Sequence, residues 1–178
     1  DPLHPDTMYL ATGDCNGYET NGFFWGGSYS AGVLKSTDGG STWNSTGLTY
    51  ALTQNDIIQR LLIHPKNTEV LLAATRNGIR RTTDGGATWN TVLGGHIYDL
   101  EFNTGNDSVI YAGSDSTLYR STDAGITWAP LAAGLCDGGR MSIAVTEANP
   151  LVVYALCENE DFFRSADGGL SFTTKYSP

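Results

Sequence analysis

The residues best placed to do chemistry lie in an octapeptide that occurs four times: STDGGSTW (Ser36 to Trp43), TTDGGATW (Thr82 to Trp89), STDAGITW (Ser121 to Trp128) and SADGGLSF (Ser165 to Phe172). Each copy sets a carboxylate beside a hydroxyl, a glycine and an aromatic ring. Met once, that set would read as a ligand site. Met four times, with Asp38, Asp84, Asp123 and Asp167 spaced 46, 39 and 44 residues apart, it reads as architecture, at a period typical of structural repeats.

The segments between the octapeptides are the elements that must position them. In the second repeat IIQRLLIH (57–64) meets a Pro-Lys-Asn turn, then come EVLLAAT (69–75), GIRRTT (78–83), the octapeptide turn and TWNTVL (88–93). These runs are short, rich in β-branched and apolar residues and punctuated by Gly, Asn and Pro, which is the pattern of antiparallel strands. The third repeat (IYDLEFN, SVIYAGS, TLYRST, TWAPLA) and the fourth (MSIAVTE, LVVYALC, DFFRSA, SFTTKY) follow the same plan. Nothing carries the i, i+3, i+4, i+7 periodicity of an amphipathic helix, so almost no helix is expected.

The expected fold is therefore all-β: a β-propeller segment of four-stranded antiparallel blades, about three and a half to four of them, at 1–48, 55–94, 95–134 and 139–178 within a single segment 1–178. LHPDTMYLATG (3–13) aligns with IHPKNTEVLLAAT (63–75), so the first blade is expected to lack its innermost strand. An open arc exposes blade faces that natural proteins cover, and the expectation is that these blades belong to a longer propeller.

Composition narrows the partners. The net charge is −9 with only 10 Lys plus Arg and no basic run, so nucleic acid is excluded on charge. No stretch approaches the roughly 20 apolar residues of a membrane-spanning helix, so no direct membrane insertion is expected. Twenty-two glycines and abundant Ser, Thr and Asn fit a secreted or cell-surface protein. The chain starts at Asp1 without Met or an apolar leader, which fits either a removed signal peptide or an origin inside a longer protein. Three cysteines without a CxxC pair exclude a zinc knuckle and leave two readings, one bridge plus one lone thiol or three free thiols.

The octapeptide, S/T-x-D-x-G-x-T-W, resembles the Asp-box or bacterial neuraminidase repeat. The resemblance spans the chain; the last copy departs from it at Ser171 and Phe172. Related boxes occur in sialidases, xyloglucan-cleaving propellers, the sortilin luminal domain and photosystem assembly factors, so the resemblance implies a hairpin between third and fourth strands of a blade rather than a reaction. Physically, Asp at a tight turn accepts backbone N–H bonds two or three residues on, Gly supplies positive φ and the aromatic packs beneath the turn. Ser36, Asp38, Gly40, Trp43, Thr82, Asp84, Gly86, Trp89, Ser121, Asp123, Gly125, Trp128, Ser165, Asp167, Gly169 and Phe172 are read as structural, with the four rings as buried clamps.

In propellers the functional loops gather on the opposite rim. There GDCNGYETNGFFWGGSYSAG (13–32) is about a dozen residues longer than its counterparts, and long loops on rigid scaffolds often bind ligands. Tyr18, Glu19, Phe23, Phe24, Trp25 and Tyr29 are the candidate ligand residues, suited to stacking on a sugar or gripping a peptide; the competing reading folds the rings inward as a plug. Asp14, Asn16 and Tyr18 alternate oxygens but fail the EF-hand template, so no calcium or other cofactor is predicted. Cys136 and Cys157 fall in neighbouring connections of that rim and are the pair expected to bridge if any does; Cys15 lies on it too.

For catalysis the inventory is short. His4, His64 and His96 have no partner signature, no GxSxG is present, and the arginine cluster and FRIP-type segment of sialidases are missing. Similarity to a xyloglucan-cleaving propeller would require two carboxylates across a cleft, and Asp14 is the one position that looks similar. The main reading is a non-catalytic module, similar to sortilin-like propellers, that presents its rim to a glycan or protein ligand, joined to further blades of the same polypeptide. The alternatives are part of a polysaccharide-active glycoside hydrolase and, third, an assembly factor for a membrane complex.

Overall fold

A computed structural model describes residues 1–13 and 29–177. It is all-β, and its strands make four antiparallel sheets, each a meander in which consecutive strands are neighbours. The first sheet holds three strands among the described residues, β1 (Met8–Ala11), β2 (Gly32–Ser36) and β3 (Asn44–Thr49). The second holds β4 (Ile58–Ile63), β5 (Leu71–Thr75), β6 (Gly78–Thr82) and β7 (Asn90–Leu93), the third β8 (Ile97–Asn103), β9 (Asn106–Ser114), β10 (Thr117–Ser121) and β11 (Ala129–Ala133), and the fourth β12 (Met141–Val145), β13 (Val153–Cys157), β14 (Phe162–Ser165) and β15 (Thr173–Tyr176). The described helical structure is one 3-10 turn at Leu52–Gln54.

Burial follows position in the sheet. All five residues of β5, LLAAT, are buried, because this strand has a neighbour on each edge and side chains against it on both faces. The outer strands are thinner and wetter: β15, TTKY, is exposed throughout and β3, NSTGLT, buries only Leu48. Pro130 sits in outer strand β11, an edge position in which a missing N–H is tolerated. Strand β7 starts at Asn90, later than the apolar pattern implies, because Thr88 and Trp89 are engaged in the turn before it.

The chain divides into two compact units, Asp1–Thr91 and Val92–Pro178. In the first, Val33, Leu48, Ile58 and Ala73 form the buried centre, flanked by Tyr9, Tyr50, Leu61 and Trp89. In the second, Val109, Tyr111, Leu118, Met141, Ile143, Val153 and Ala155 pack together around a disulfide between Cys136 and Cys157, whose Cα atoms are 5.6 Å apart. In each unit, two sheets meet face to face through these residues.

Candidate functional site

Each octapeptide closes a hairpin between the last two strands of its sheet, and its polar atoms are spent on its own backbone. Ser36 Oγ donates to Asp38 Oδ1 (2.8 Å) and accepts from the Gly40 N–H (2.9 Å), while Thr42 donates its N–H to Asp38 Oδ1 (2.8 Å) and its hydroxyl to Oδ2 (2.7 Å). The Trp43 indole N–H then donates to the Gly40 carbonyl (3.0 Å). The set recurs around Asp84, Asp123 and Asp167, except that Phe172 has no N–H to give. The backbone donor shared by all four boxes lies four residues beyond the aspartate, because two positive-φ residues intervene and carry the chain round, and in the third box Ile126, three residues on, donates as well (3.0 Å). In the third box one of the two positive-φ residues is Ala124, at φ 56°, where the other boxes have glycine.

The aromatic residues are not buried clamps. Trp43 is 37% exposed, and Trp89, Trp128 and Phe172 are half-buried. A ring whose N–H must reach a turn carbonyl lies along the hairpin, with one side left open to solvent.

These bonds fix the electrostatics. Hydroxyl and backbone donors, led by the Thr42 hydroxyl at Asp38, Thr82 at Asp84 and Ser171 at Asp167, hold those carboxyls down to about 2. At Asp123 desolvation is the largest single influence and acts upward, but Thr127, Ser121 and Ile126 together outweigh it, and the carboxyl also lies at about 2. A carboxylate so held has no proton to give at neutral pH and cannot serve as a general acid. Because each folded-state value lies below the ordinary 3.8, the contribution to stability is complete above about pH 4 and is lost as pH falls toward 2. The urea midpoint is accordingly expected to hold steady down to about pH 4 and decline below it, with a shallower decline in Asp84→Asn; a midpoint unchanged between pH 4 and pH 2 refutes this.

The long loop's stem is equally well fixed. Thr12 Oγ1 donates to the Gly32 carbonyl (2.7 Å) and accepts from the Ala31 N–H (2.9 Å), and the buried Ser30 accepts from Gly32 and donates its own N–H to the Asp56 carbonyl (2.9 Å). Tyr29 is 38% exposed at the end of this stem. Of the candidate ligand residues it is the one that can be placed: Asp14, Tyr18, Glu19, Phe23, Phe24 and Trp25, together with Asn16 and Cys15, lie outside the described residues. Beside the stem, Asp56 is 2% exposed, and burial first, then the Asp56 carboxylate, pushes the Tyr50 phenol up while Arg80 opposes them.

The histidines hold turns. His64 Nδ1 accepts from the Lys66 and Asn67 N–H groups, His4 at the equivalent turn lies 3.3 Å from Asp1, and His96 stacks on Tyr98 at 4.0 Å. Among the described residues no three His, Cys, Asp or Glu side chains gather as a metal site requires.

A second layer of contacts involves residues outside the motifs. Tyr9 Oη and Lys35 Nζ both donate to the Gly85 carbonyl (3.1 and 3.2 Å), with the ammonium 5.2 Å over the Tyr9 ring. Tyr111 Oη makes the same bond to Gly168 (3.1 Å). Gly85 and Gly168 each give their N–H to a loop of their own sheet, at Glu69 and Leu151, so each is held from both sides. Alongside, the Gly47 N–H donates to the Gly86 carbonyl (2.8 Å), and a Cβ there would collide with the Ala87 carbonyl. The signal was available: MYLA, IYAG and VYAL place tyrosine at one position in three of four repeats.

The BNR/Asp-box repeat signature matches residues 119–130, which include the third box through Ala129 and Pro130. A curated xyloglucanase of Paenibacillus sp is 31% identical over 83 residues, 44% of this chain and 7% of that protein. Among solved structures, an ancestral GH74 enzyme superimposes with a TM-score of 0.69 at 22% identity over 84% of this chain and 22% of its own. The GH74 xyloglucanase of Xanthomonas campestris superimposes with a TM-score of 0.56 at 20% identity over 98% of this chain and 37% of its own. Fold and hairpins together define a β-propeller segment built from BNR/Asp-box repeats. The chain spans 7% of the length of the curated relative it matches.

Proposed function

We propose that this chain is part of a secreted glycoside hydrolase propeller that cleaves xyloglucan or a closely similar β-glucan. One observation carries the proposal: 31% identity to a xyloglucanase over 83 residues. The structural likeness to GH74 enzymes supports the scaffold. The boxes take no part in the chemistry, since their carboxylates are committed to their own turns. Hydrolysis needs one carboxyl as acid and a second as base or nucleophile across the glycosidic bond. Asp14, directly after the stem built by Thr12 and Gly13, is our choice for one of them, with the second supplied by further blades of the polypeptide. Tyr18, Phe23, Phe24, Trp25 and Tyr29 would give the sugar rings flat surfaces, with Glu19 hydrogen-bonding their hydroxyls.

The test starts with the intact mass of the natural polypeptide, expected well above 19.0 kDa. That polypeptide is then assayed for release of reducing ends from xyloglucan. Asp14→Asn is expected to lower turnover by about 100-fold or more, the usual range for loss of a general acid or base. Turnover unchanged in Asp14→Asn removes that residue from the mechanism. Glycan affinity without turnover, abolished in Trp25→Ala, would return the module to a sortilin-like binding and display role.

A further inference from the structure

At the end of the third sheet away from its box, three side chains meet and leave one carboxylate oxygen unused. Tyr98 enters β8 as an extra residue, because β8 pairs Ile97 with Ser114 and then Asp99 with Gly113 on β9. A bulge of this kind re-aims a side chain, and here Ile97 is wholly buried while Tyr98 is half-buried. The His96 ring stacks on the Tyr98 ring, with centroids 4.0 Å apart and 29° between the planes. Tyr98 Oη donates to Asp115 Oδ1 (2.9 Å), and the exposed Asp115 carboxylate makes no other hydrogen bond or ion pair among the described residues.

The group is not part of the repeat. Ile58 pairs with Thr75 in the second sheet as Ile97 pairs with Ser114 in the third, so the positions of His96, Tyr98 and Asp115 are held there by Ile57, Gln59 and Arg76. The second sheet therefore builds an equivalent bulge and turn with neither ring nor carboxylate. The hydroxyls at that turn do the same work in both sheets: Thr75 Oγ1 donates to the Gly78 carbonyl and Ser114 Oγ to the Thr117 carbonyl, each at 2.9 Å. Side chains that the architecture does not require are available for a ligand. Their support is firm, since the turn bearing Asp115 also gives its Ser116 carbonyl to the Leu135 N–H (3.0 Å), next to the bridged Cys136. The approach is open: a side chain at Gly94 or Gly95, just before His96, would meet no described atom within 4 Å.

We propose that His96, Tyr98 and Asp115 form a subsite for a neutral pyranose ring of a glycan. Their chemistry selects the ligand. Having given its hydrogen to Asp115, the Tyr98 oxygen offers only lone pairs, and Asp115 Oδ2 is likewise an acceptor. The group therefore fits a partner that brings hydroxyl donors on an apolar body, and a pyranose carries neighbouring hydroxyls beside a C–H face that can lie against a ring. An anionic ligand would instead meet the Asp115 carboxylate in a chain of net charge −9. None of the three residues lies in the 13–32 segment, so this subsite is additional to the residues placed there. That the sugar belongs to a β-glucan rests on the function proposed above; that it is a neutral sugar rests on these three side chains.

The test uses the natural full-length polypeptide with soluble xyloglucan as the probe. Affinity electrophoresis in gels holding the polysaccharide reads binding without turnover, initial rates read KM, and thermal midpoints check that each variant is folded. Asp115→Ala is expected to weaken binding and raise KM about tenfold, as for a lost hydrogen bond to a charged group. His96→Ala is expected to weaken binding several-fold through the lost ring contact. Tyr98→Phe, which keeps the ring but releases the carboxylate from its fixed orientation, is expected to fall between wild type and Asp115→Ala. Binding and KM indistinguishable from wild type in both Asp115→Ala and His96→Ala overturn the subsite and leave hydrolysis standing. Binding without turnover, weakened in both variants, keeps the subsite and removes hydrolysis. A wild-type protein that neither binds nor cleaves xyloglucan overturns both.

Discussion

Tyr111→Ala is expected to cost about 3–5 kcal/mol of stability, the usual cost of truncating a fully buried large aromatic side chain. Tyr111 is 0% exposed and is among the largest wholly buried side chains. Its ring runs between Val109, Leu118, Met141 and Val153, and its hydroxyl ends on the Gly168 carbonyl. Truncation would leave a cavity joining the two sheets of the unit and strip the box carbonyl of its outside donor. For a protein of this size the thermal midpoint should fall on the order of 10 °C. Tyr111→Phe separates the two contributions, since it keeps the ring and removes one bond worth about 1 kcal/mol. Urea melting curves of the two variants check this; a loss below about 1 kcal/mol for Tyr111→Ala would show that the neighbouring sheet closes over the gap.

The second large effect is expected from the disulfide. Cys136 and Cys157 are 21 residues apart, and the bridge ties the loop before β12 to the end of β13. Closing a loop of that length restricts the unfolded chain by about 3 kcal/mol in the chain-entropy account. Cys136→Ala/Cys157→Ala should therefore lower the unfolding free energy by about that amount, without a buried thiol or hydroxyl left unsatisfied. Both sulfurs sit in residues only 2% exposed, so mild reductant should leave the folded protein's bridge intact and cleave it readily only after urea is added. An unchanged urea midpoint in the double variant would show that the packing around Met141 and Ile143 fixes the loop without help.

Much of the fold was legible because the signals were local and repeated. Four boxes and the short apolar runs between them are enough to place the strands, and the alignment of Met8–Ala11 with Leu71–Ala74 puts β1 at the place that β5 holds in the second sheet. What escaped was contact across the chain. The Tyr9 to Gly85 bond joins residues 76 apart and the Tyr111 to Gly168 bond residues 57 apart, and in a strand pattern a tyrosine looks like any other core residue. Turn geometry was only half legible. DGG and DAG both announce a tight turn, but not that the carboxylate reaches the fourth residue on, or that Ala124 tolerates φ 56°. The rings were misjudged because a tryptophan suggests burial more strongly than it suggests a donor.

The carbonyl at the heart of each box has an evolutionary consequence. A main-chain oxygen cannot be mutated away, and the third box keeps one at Ala124 although its glycine has gone. Recognition between neighbours thus makes few demands on side-chain identity on the accepting side, and repeats are free to drift apart while still fitting. A duplicated repeat arrives with its acceptor already formed, ready to be gripped by whatever tyrosine precedes it. Arrays of this kind should gain or lose members by recombination more readily than folds whose neighbours are matched side chain to side chain.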